Sequence, residues 1–266
     1  MTPRLDDAST APRPESALLV VNDLHRDFGG VLAVNGASFD VQNGSNTALI
    51  GPNGAGKTTV LTMVAGAMKP TAGSVRFDGR EIARMPSYRV ARLGLIRTFQ
   101  ISSEFARLTV LENLLVGSPR QRGETVLGAL RGKRYWRDEE LANVDRARGL
   151  LKRFDMSAKV DDYAGDLSGG QKRLLEIMRA LMADPKLLLL DEPMAGVNPS
   201  LGRRIEGYLT ELRGEGLTIL MVEHELGTVE RLCDRVIVMA QGKVISHGSM
   251  AEVRSRREVL DAYLIG

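Results

Sequence analysis

The sequence has little cysteine, few aromatic residues and no long apolar run. Its single cysteine, Cys233, excludes an intramolecular disulfide and a metal site built from several cysteines, and it is typical of a reducing compartment. Aromatic residues make up only 5% of the chain, whereas glycine occurs 28 times, which favours a loop-rich α/β protein over a β-sandwich or β-barrel. No stretch of about 18 apolar residues occurs, so the sequence predicts no membrane span of its own.

Neither sign of charge is in large excess. The chain of 266 residues carries 36 Lys and Arg against 33 Asp and Glu, a net charge of +3, which is too small to indicate nucleic acid as a partner. The length favours one large α/β domain or a core with an inserted lobe. Residues 1–16, rich in Pro, Ala, Ser and charge, are predicted to form a disordered tail, and we do not expect them to act as a secretory signal.

Short apolar runs alternate with helical patterns along most of the chain. The alternation predicts a parallel sheet covered on both faces. Predicted strands lie at 17–21, 31–41 (around a turn at Asn35-Gly36), 46–50, 74–78, 95–99, 187–190, 218–222, 235–239 and 243–246. Helices are predicted at 57–67, at 138–154 with Leu141 on its apolar stripe, and after Ser168. We therefore expect a core formed by 17–100 and 169–266, with an inserted helical lobe at 101–168.

A glycine-rich loop joins the predicted strand 46–50 to the predicted helix 57–67. Residues 51–59 read Gly-Pro-Asn-Gly-Ala-Gly-Lys-Thr-Thr, the pattern G-x-x-x-x-G-K-[ST] of phosphate-binding loops. In such a loop the backbone N–H groups surround phosphate oxygens, Lys57 reaches the β- and γ-phosphates, and the Thr58 hydroxyl ligates Mg²⁺. The predicted nucleotide-binding residues are Gly51, Asn53, Gly54, Ala55, Gly56, Lys57, Thr58 and Thr59.

Two adjacent carboxylates, Asp191 and Glu192, follow the apolar strand predicted at 187–190. Ligands of open α/β sheets bind at the carboxyl ends of the strands, and consecutive strand residues point in opposite directions, so the pair can serve two roles. Asp191 is predicted to hold the hydration shell of Mg²⁺, and Glu192 to accept a proton from the attacking water. The simpler interpretation is a pair of acids at the end of a strand.

The stretch Leu167-Ser168-Gly169-Gly170-Gln171 opens a predicted helix. Ser168 followed by Gln171 at the third position is the pattern of a capping box. Adjacent glycines at a positive helix end also predict an anion site. The two interpretations are compatible.

Together these motifs resemble those of the ATP-binding subunits of ABC transporters. The phosphate loop, Gln100, Leu-Ser-Gly-Gly-Gln, Leu-Leu-Leu-Leu-Asp-Glu-Pro and His224 follow in that family's order and spacing, over residues 17–266. The resemblance implies an α/β fold: a P-loop NTPase parallel-sheet core, a small antiparallel β part and an inserted α-helical lobe. It also implies ATP and Mg²⁺ as ligands.

The resemblance further assigns roles to single residues. Phe28 would stack on adenine, Gln100 would link Mg²⁺ and the attacking water to the helical lobe, and His224 would contact the γ-phosphate. Two subunits would pair head to tail, so that one subunit binds the γ-phosphate held by the other through Ser168, Gly170 and Gln171.

A narrower resemblance concerns the branched-chain amino acid uptake subgroup. It rests on Arg-Thr-Phe-Gln at 97–100, Gly-Val-Asn-Pro at 196–199 and the C-terminal pattern at 248–264. It implies a peripheral ATPase on the cytoplasmic face of the cell membrane, bound to permease subunits, with a solute-binding protein as an indirect partner and with itself or a paralogue as the second ATPase. The alternatives are a lipid or lipopolysaccharide exporter and a soluble ABC ATPase that moves no solute.

Two features depart from that pattern or extend it. Asn198 stands where the family usually has aspartate, so the coupling between paired sites is open to change. Within 120–137 six basic residues oppose a single acid, Glu124. This segment is either a solvated basic face or a contact with anionic headgroups.

Overall fold

The structure is a computed structural model that describes residues 17–98, 105–119 and 136–265. We number the elements over these residues. The strands are β1 Ala17–Asp27, β2 Leu32–Gln42, β3 Asn46–Ile50, β4 Ala72–Phe77, β5 Arg80–Glu81, β6 Leu95–Arg97, β7 Leu187–Asp191, β8 Thr218–Val222, β9 Arg235–Ala240 and β10 Lys243–Gly248. The helices are α1 Lys57–Val64, α2 Ser87–Arg92, α3 Val110–Val116, α4 Arg137–Arg153, α5 Gly169–Met182, α6 Pro199–Gly214, α7 Leu226–Leu232, α8 Met250–Arg254 and α9 Arg257–Ile265.

The strands form two sheets. The larger has the order β10-β9-β3-β8-β7-β6, with β10 antiparallel to β9 and all other neighbours parallel. The smaller is antiparallel, with the order β2-β1-β4-β5. The expected α/β architecture of a parallel core with a small antiparallel part is therefore confirmed.

Both faces of the parallel sheet are buried. Successive residues of β7 pack on opposite faces, in two different apolar clusters. Leu188 and Leu190 pack with residues of α4, α5 and α6. Leu187 and Leu189 pack with residues of α1 and the antiparallel sheet. A strand buried on both faces needs a continuous apolar run rather than an alternating one, which explains the four leucines.

Helical structure dominates the described part of the chain between the two core segments. Helix α3 begins with a capping box formed by Thr109 and Glu112. Helix α4 carries acids at 138–140 in its first turn and bases at 152–153 in its last, which complements the helix dipole. The ring of Phe154, just after α4, lies 4.4 Å from that of Tyr208 on α6. The lobe boundaries of 101 and 168 stay a prediction.

Two predictions about local structure are wrong. Asn35-Gly36 makes no turn: β2 runs through both residues, with Gly36 at φ 81° opposite an irregular stretch of β1. Pairing with β1 thus converts a turn signal into a bulge-like distortion. Leu141 is not part of a buried stripe, since it is 52% exposed in the first half of α4, whereas Ala147 and Leu151 are buried.

Some predictions fall on residues outside the described ranges. They are the tail at 1–16, Gln100, and the basic segment 120–137 except for its last two residues. Among the described residues, no helix combines the length and apolar character needed to cross a membrane.

Candidate active site

The glycine-rich loop follows the carboxyl end of β3, which is an interior strand of the parallel sheet. Gly51 and Gly56 both have positive φ, 149° and 97°. A Cβ atom on Gly51 would lie 2.0 Å from the carbonyl oxygen of Met239, and one on Gly56 would lie 2.4 Å from that of Ala33. Glycine is thus required at both ends of the loop by backbone packed directly against it, and this packing fixes the curve that leads into α1.

The Lys57 side chain folds back onto this loop. Its Nζ donates to the carbonyl oxygens of Gly51 at 2.8 Å and Pro52 at 2.9 Å. Burial lowers the pKa of Lys57, while the carboxylates of Glu192 and Asp191 partly oppose that effect. A buried ammonium group near the loop N–H groups favours a polyanion such as a nucleotide phosphate.

Asp191 ends β7 and is fully buried. Its Oδ2 accepts a hydrogen bond of 2.9 Å from the Arg97 guanidinium, whose other amino group donates to Thr62 Oγ1 on α1 at 2.8 Å. Its Oδ1 is buried and has no hydrogen-bond partner among the described residues. Arg97 therefore holds Asp191 in a fixed orientation and leaves one carboxylate oxygen available for another partner.

Glu192 and His224 are joined directly. Glu192 follows β7, His224 lies two residues after β8, and the imidazole Nε2–H donates to Glu192 Oε1 at 2.7 Å. The Glu192 amide donates to the carbonyl oxygen of Val222 at 3.0 Å, which fastens the two strand ends together. The structure thus brings Lys57, Asp191, Glu192 and His224 to one edge of the sheet.

Two residues that the sequence analysis did not select contact predicted site residues: Glu223 accepts from the His224 amide, and Arg26 lies against the Phe28 ring. The buried Glu223 carboxylate accepts from the backbone amides of Met194 and His224. The Arg26 guanidinium lies 4.5 Å from the ring centroid of Phe28, a half-exposed side chain next to β1. Arg26 lies two residues before Phe28, so its nearness to that ring could have been inferred from the sequence, whereas no local pattern marks Glu223.

Ser168, Gly170 and Gln171 lie at the start of α5. Ser168 Oγ accepts from the Gln171 amide, and Gln171 Oε1 accepts from the Ser168 amide at 2.9 Å, so the capping box is confirmed. A Cβ atom on Gly170 would lie 2.1 Å from Leu201 Cδ2 on α6. Ser168 and Gln171 are bonded to each other rather than to the phosphate loop, among the residues described. Their role toward a second nucleotide stays a prediction.

A phosphate-binding loop, a buried aspartate and a glutamate–histidine pair at the carboxyl edge of one parallel sheet define a P-loop nucleotide-hydrolysing protein.

Comparison with known proteins agrees with this class. The family model described as "ABC transporter" matches residues 34–195. The chain is 40% identical over 247 residues to the probable branched-chain amino acid transport ATP-binding protein LivG of Archaeoglobus fulgidus, covering 93% of this chain and 95% of that protein. It is 38% identical over 248 residues to the high-affinity branched-chain amino acid transport ATP-binding protein BraF of Pseudomonas aeruginosa, covering 93% and 97%.

A solved structure gives the same answer for the fold. The ADP conformation of an ATP-binding cassette of an ABC transporter superposes with a TM-score of 0.81 at 36% identity, covering 93% of this chain and 98% of that one. The chain belongs to the ABC transporter family, and it is an ATPase of that family. The family resemblance predicted from the motifs is confirmed.

Proposed function

We propose that this chain is the ATP-hydrolysing subunit of a membrane importer for branched-chain or closely related amino acids. The observation that carries this proposal is its identity of 37–40% to LivG and BraF proteins, each covered over almost its whole length. An exporter of lipid or lipopolysaccharide and a soluble ABC ATPase were the alternatives from sequence, and these relatives favour the importer.

ATP is proposed to bind with its phosphates in the loop from Gly51 to Thr59. Loop N–H groups and the Lys57 ammonium would bind the phosphate oxygens. Phe28 would stack on the adenine, with Arg26 held over the same ring.

The residues present fit a magnesium ion. Asp191 Oδ1 is buried without a hydrogen-bond partner among the described residues, and Thr58 lies in the first turn of α1. Both supply oxygen, the ligand that Mg²⁺ prefers, and Gln100 is the third proposed metal residue. The described residues contain no group of three or more His, Cys, Asp or Glu that could hold a metal, and Mg²⁺ on nucleotides usually takes few protein ligands. When bound, Mg²⁺ would neutralise charge that develops on the phosphates.

Hydrolysis is proposed to use Glu192 as the general base. The water oxygen attacks the γ-phosphorus, the bond to the β–γ bridging oxygen breaks, and ADP leaves. Glu192 accepts the proton of the water, while His224 orients the Glu192 carboxylate through their 2.7 Å hydrogen bond and contacts the γ-phosphate. Lys57 stabilises the leaving phosphates.

Two ATPase subunits are proposed to act together on the cytoplasmic face of the membrane. Ser168, Gly170 and Gln171 of one subunit would bind the γ-phosphate held by the other. The pair, either two copies of this chain or this chain with a paralogue, would drive permease subunits that receive the solute from a binding protein.

Uptake in the source organism tests this proposal. Deletion of the gene should abolish uptake of radiolabelled leucine, isoleucine or valine, and the wild-type gene should restore it. The Glu192→Gln gene, expressed to the same level, should not. If the deletion strain takes up all three amino acids normally, the importer assignment is wrong, and altered lipopolysaccharide in that strain would support the exporter.

A further inference from the structure

Glu223 is a buried carboxylate for which the proposed mechanism has no use. It lies between the last residue of β8 and His224, and only 4% of its surface is exposed. Burial raises its pKa, which shows that the surroundings disfavour its charge. A protein retains such a group at a free-energy cost unless its hydrogen bonds offset that cost.

Both carboxylate oxygens of Glu223 accept hydrogen bonds, Oε1 from the segment that follows Glu192 and Oε2 from the next residue of its own segment. Oε1 accepts from the Met194 amide at 3.0 Å, and Oε2 accepts from the His224 amide at 3.2 Å. Met194 lies two residues after Glu192, so one segment carries the proposed base and the other carries the histidine bonded to it. Glu223 therefore bridges the backbones of the two catalytic segments.

These contacts close a ring of interactions. The ring runs from Glu192 to Met194 along the chain, through the Glu223 carboxylate to His224, and back to Glu192 through the 2.7 Å side-chain bond. Amide N–H to carboxylate bonds are charge-assisted and directional. Neither segment can turn about its strand end without breaking a member of the ring.

We propose that Glu223 is a positioning residue for ATP hydrolysis: its Oε1 ties the Glu192 segment to the His224 segment, and the bond from the His224 amide to Oε2 holds the carboxylate in that orientation, so that base and histidine keep one geometry. The inference rests on the proposed roles of Glu192 and His224. It requires two acceptor oxygens at side-chain length and not merely a negative charge.

Two substitutions separate these requirements. Glu223→Gln keeps the length but offers a single oxygen acceptor, so its amide nitrogen faces one of the two N–H groups. Glu223→Asp keeps both oxygens and the charge but is one methylene shorter, so its carboxylate should not span the distance to the Met194 amide. Both variants should lower kcat by about tenfold or more, with KM for ATP within about twofold of the wild-type value.

A matched control lies further along the two chain segments that follow Glu192 and His224. Arg231 on α7 binds Glu206 on α6 through Nε at 3.0 Å and Nη2 at 2.6 Å. This bidentate pair, in which Arg231 is exposed, also joins the chain that follows Glu192 to the chain that follows His224, but among the described residues it has no hydrogen bond to Glu192 or His224. Arg231→Gln should leave kcat and KM unchanged.

A spectroscopic readout follows the geometry itself. The chain has only three histidines, His25, His224 and His247, so their ring NMR signals are few and the His224 signal is assigned by its loss in His224→Ala. In Glu223→Gln and Glu223→Asp the His224 ring signals should move while those of His25 and His247 stay. In Arg231→Gln all three should keep their positions.

Glu192→Gln is measured in parallel to separate the two hypotheses. If Glu192→Gln hydrolyses ATP at the wild-type rate, the proposed base is wrong. If Glu192→Gln is inactive but either Glu223 variant keeps the wild-type kcat, the positioning role is overturned. An unshifted His224 signal in both Glu223 variants overturns it as well, whatever their rates.

Discussion

At the scale of single residues, Glu192 combines an unusual backbone with the proposed catalytic role. Its φ is 50°, in the left-handed region, which costs a non-glycine residue about 1–2 kcal/mol. The hydrogen bonds from its amide to Val222 and from His224 to its carboxylate hold it there. Such conformations persist where surrounding structure determines them, and they are frequent at functional sites.

Glu192→Gln should bind ATP but hydrolyse it about 100-fold or more slowly. The amide keeps the shape and hydrogen-bonding capacity of the side chain but cannot accept the proton of the attacking water. Steady-state phosphate release and equilibrium ATP binding by the purified variant are the measurements. Glu258→Gln, on the exposed side of α9, is the control and should behave as wild type. Equal turnover in all three proteins would remove Glu192 from the mechanism.

Cys233 should be unreactive in the native protein. Burial, reinforced by the nearby carboxylate of Asp234, raises the pKa of its thiol to about 12, so the nucleophilic thiolate is scarce at neutral pH. Incubation with iodoacetamide at pH 7.5 should leave the native chain unlabelled, and urea should release full labelling. Rapid labelling of the native chain would contradict this burial.

The sequence predicts those site residues that belong to local patterns. Lys57 and Thr58 follow from the phosphate loop, and Asp191 and Glu192 follow from an apolar strand. Arg97 bonds to Asp191 across 94 positions of the chain, and Glu223 reaches back 29 positions to Met194. Contacts of this separation depend on strand order, which no local pattern encodes.

At the scale of helices and strands, the pattern of apolar and polar residues and the capping residues explain most of the agreement between prediction and structure. The apolar stripe and capping box of α5 lie in one segment, and both are realised in the structure. The predictions for Asn35-Gly36 and Leu141 are wrong because distant parts of the chain decide the pairing of β2 with β1 and the exposure of Leu141 on α4. Local signals fail where tertiary context opposes them.

Asn198, which stands where the family usually has aspartate, has a structural role at a helix end. It is the N-cap of α6: its Oδ1 accepts from the Leu201 amide at 2.9 Å and from the Ser200 hydroxyl at 2.8 Å. Asn198→Ala should lower the free energy of unfolding by about 1 kcal/mol. Asn198→Asp should be at least as stable as wild type, because aspartate caps equally well and favours a helix N-terminus. Urea unfolding midpoints measure both, and equal losses would contradict the capping role.

Ser168→Arg should separate ATP binding from hydrolysis. The proposed partner phosphate lies on the other subunit, so the variant should bind ATP nearly as wild type but lose turnover. Lys57→Ala should instead weaken ATP binding itself. Equal loss of ATP affinity in both variants, measured by fluorescence titration, would contradict a shared site.

The cap that Ser168→Arg destroys has a matched control. Ser249 caps α8 through the same kind of box with Glu252. Ser249→Arg should lose similar stability and keep its turnover. If Ser249→Arg loses turnover too, the effect at Ser168 is one of stability.

At the scale of the whole molecule, the strand order explains why distant motifs meet. Strand β8 lies between β3 and β7, so His224 is placed between the phosphate loop and the Asp191-Glu192 pair. All three strands are parallel, and their carboxyl ends therefore share one edge of the sheet. Gly170, at the start of α5, packs instead against Leu201 of α6. The proposed site is therefore split, and a second subunit would complete it.

The proposed pairing of two subunits predicts that ATP changes the mass of the purified protein in solution. Glu192→Gln should run at the mass of one chain, 29.0 kDa, without nucleotide and at twice that mass with ATP, because uncleaved ATP joins the two subunits. ADP should not replace ATP, since it lacks the γ-phosphate that Ser168, Gly170 and Gln171 of the other subunit are proposed to bind. Light scattering coupled to gel filtration measures both states. The double variant Glu192→Gln, Ser168→Arg should stay at the mass of one chain in ATP, whereas Glu192→Gln combined with Ser249→Arg should still double. An ATP-independent mass, or a dimer that survives Ser168→Arg, would show that the subunits associate through another surface.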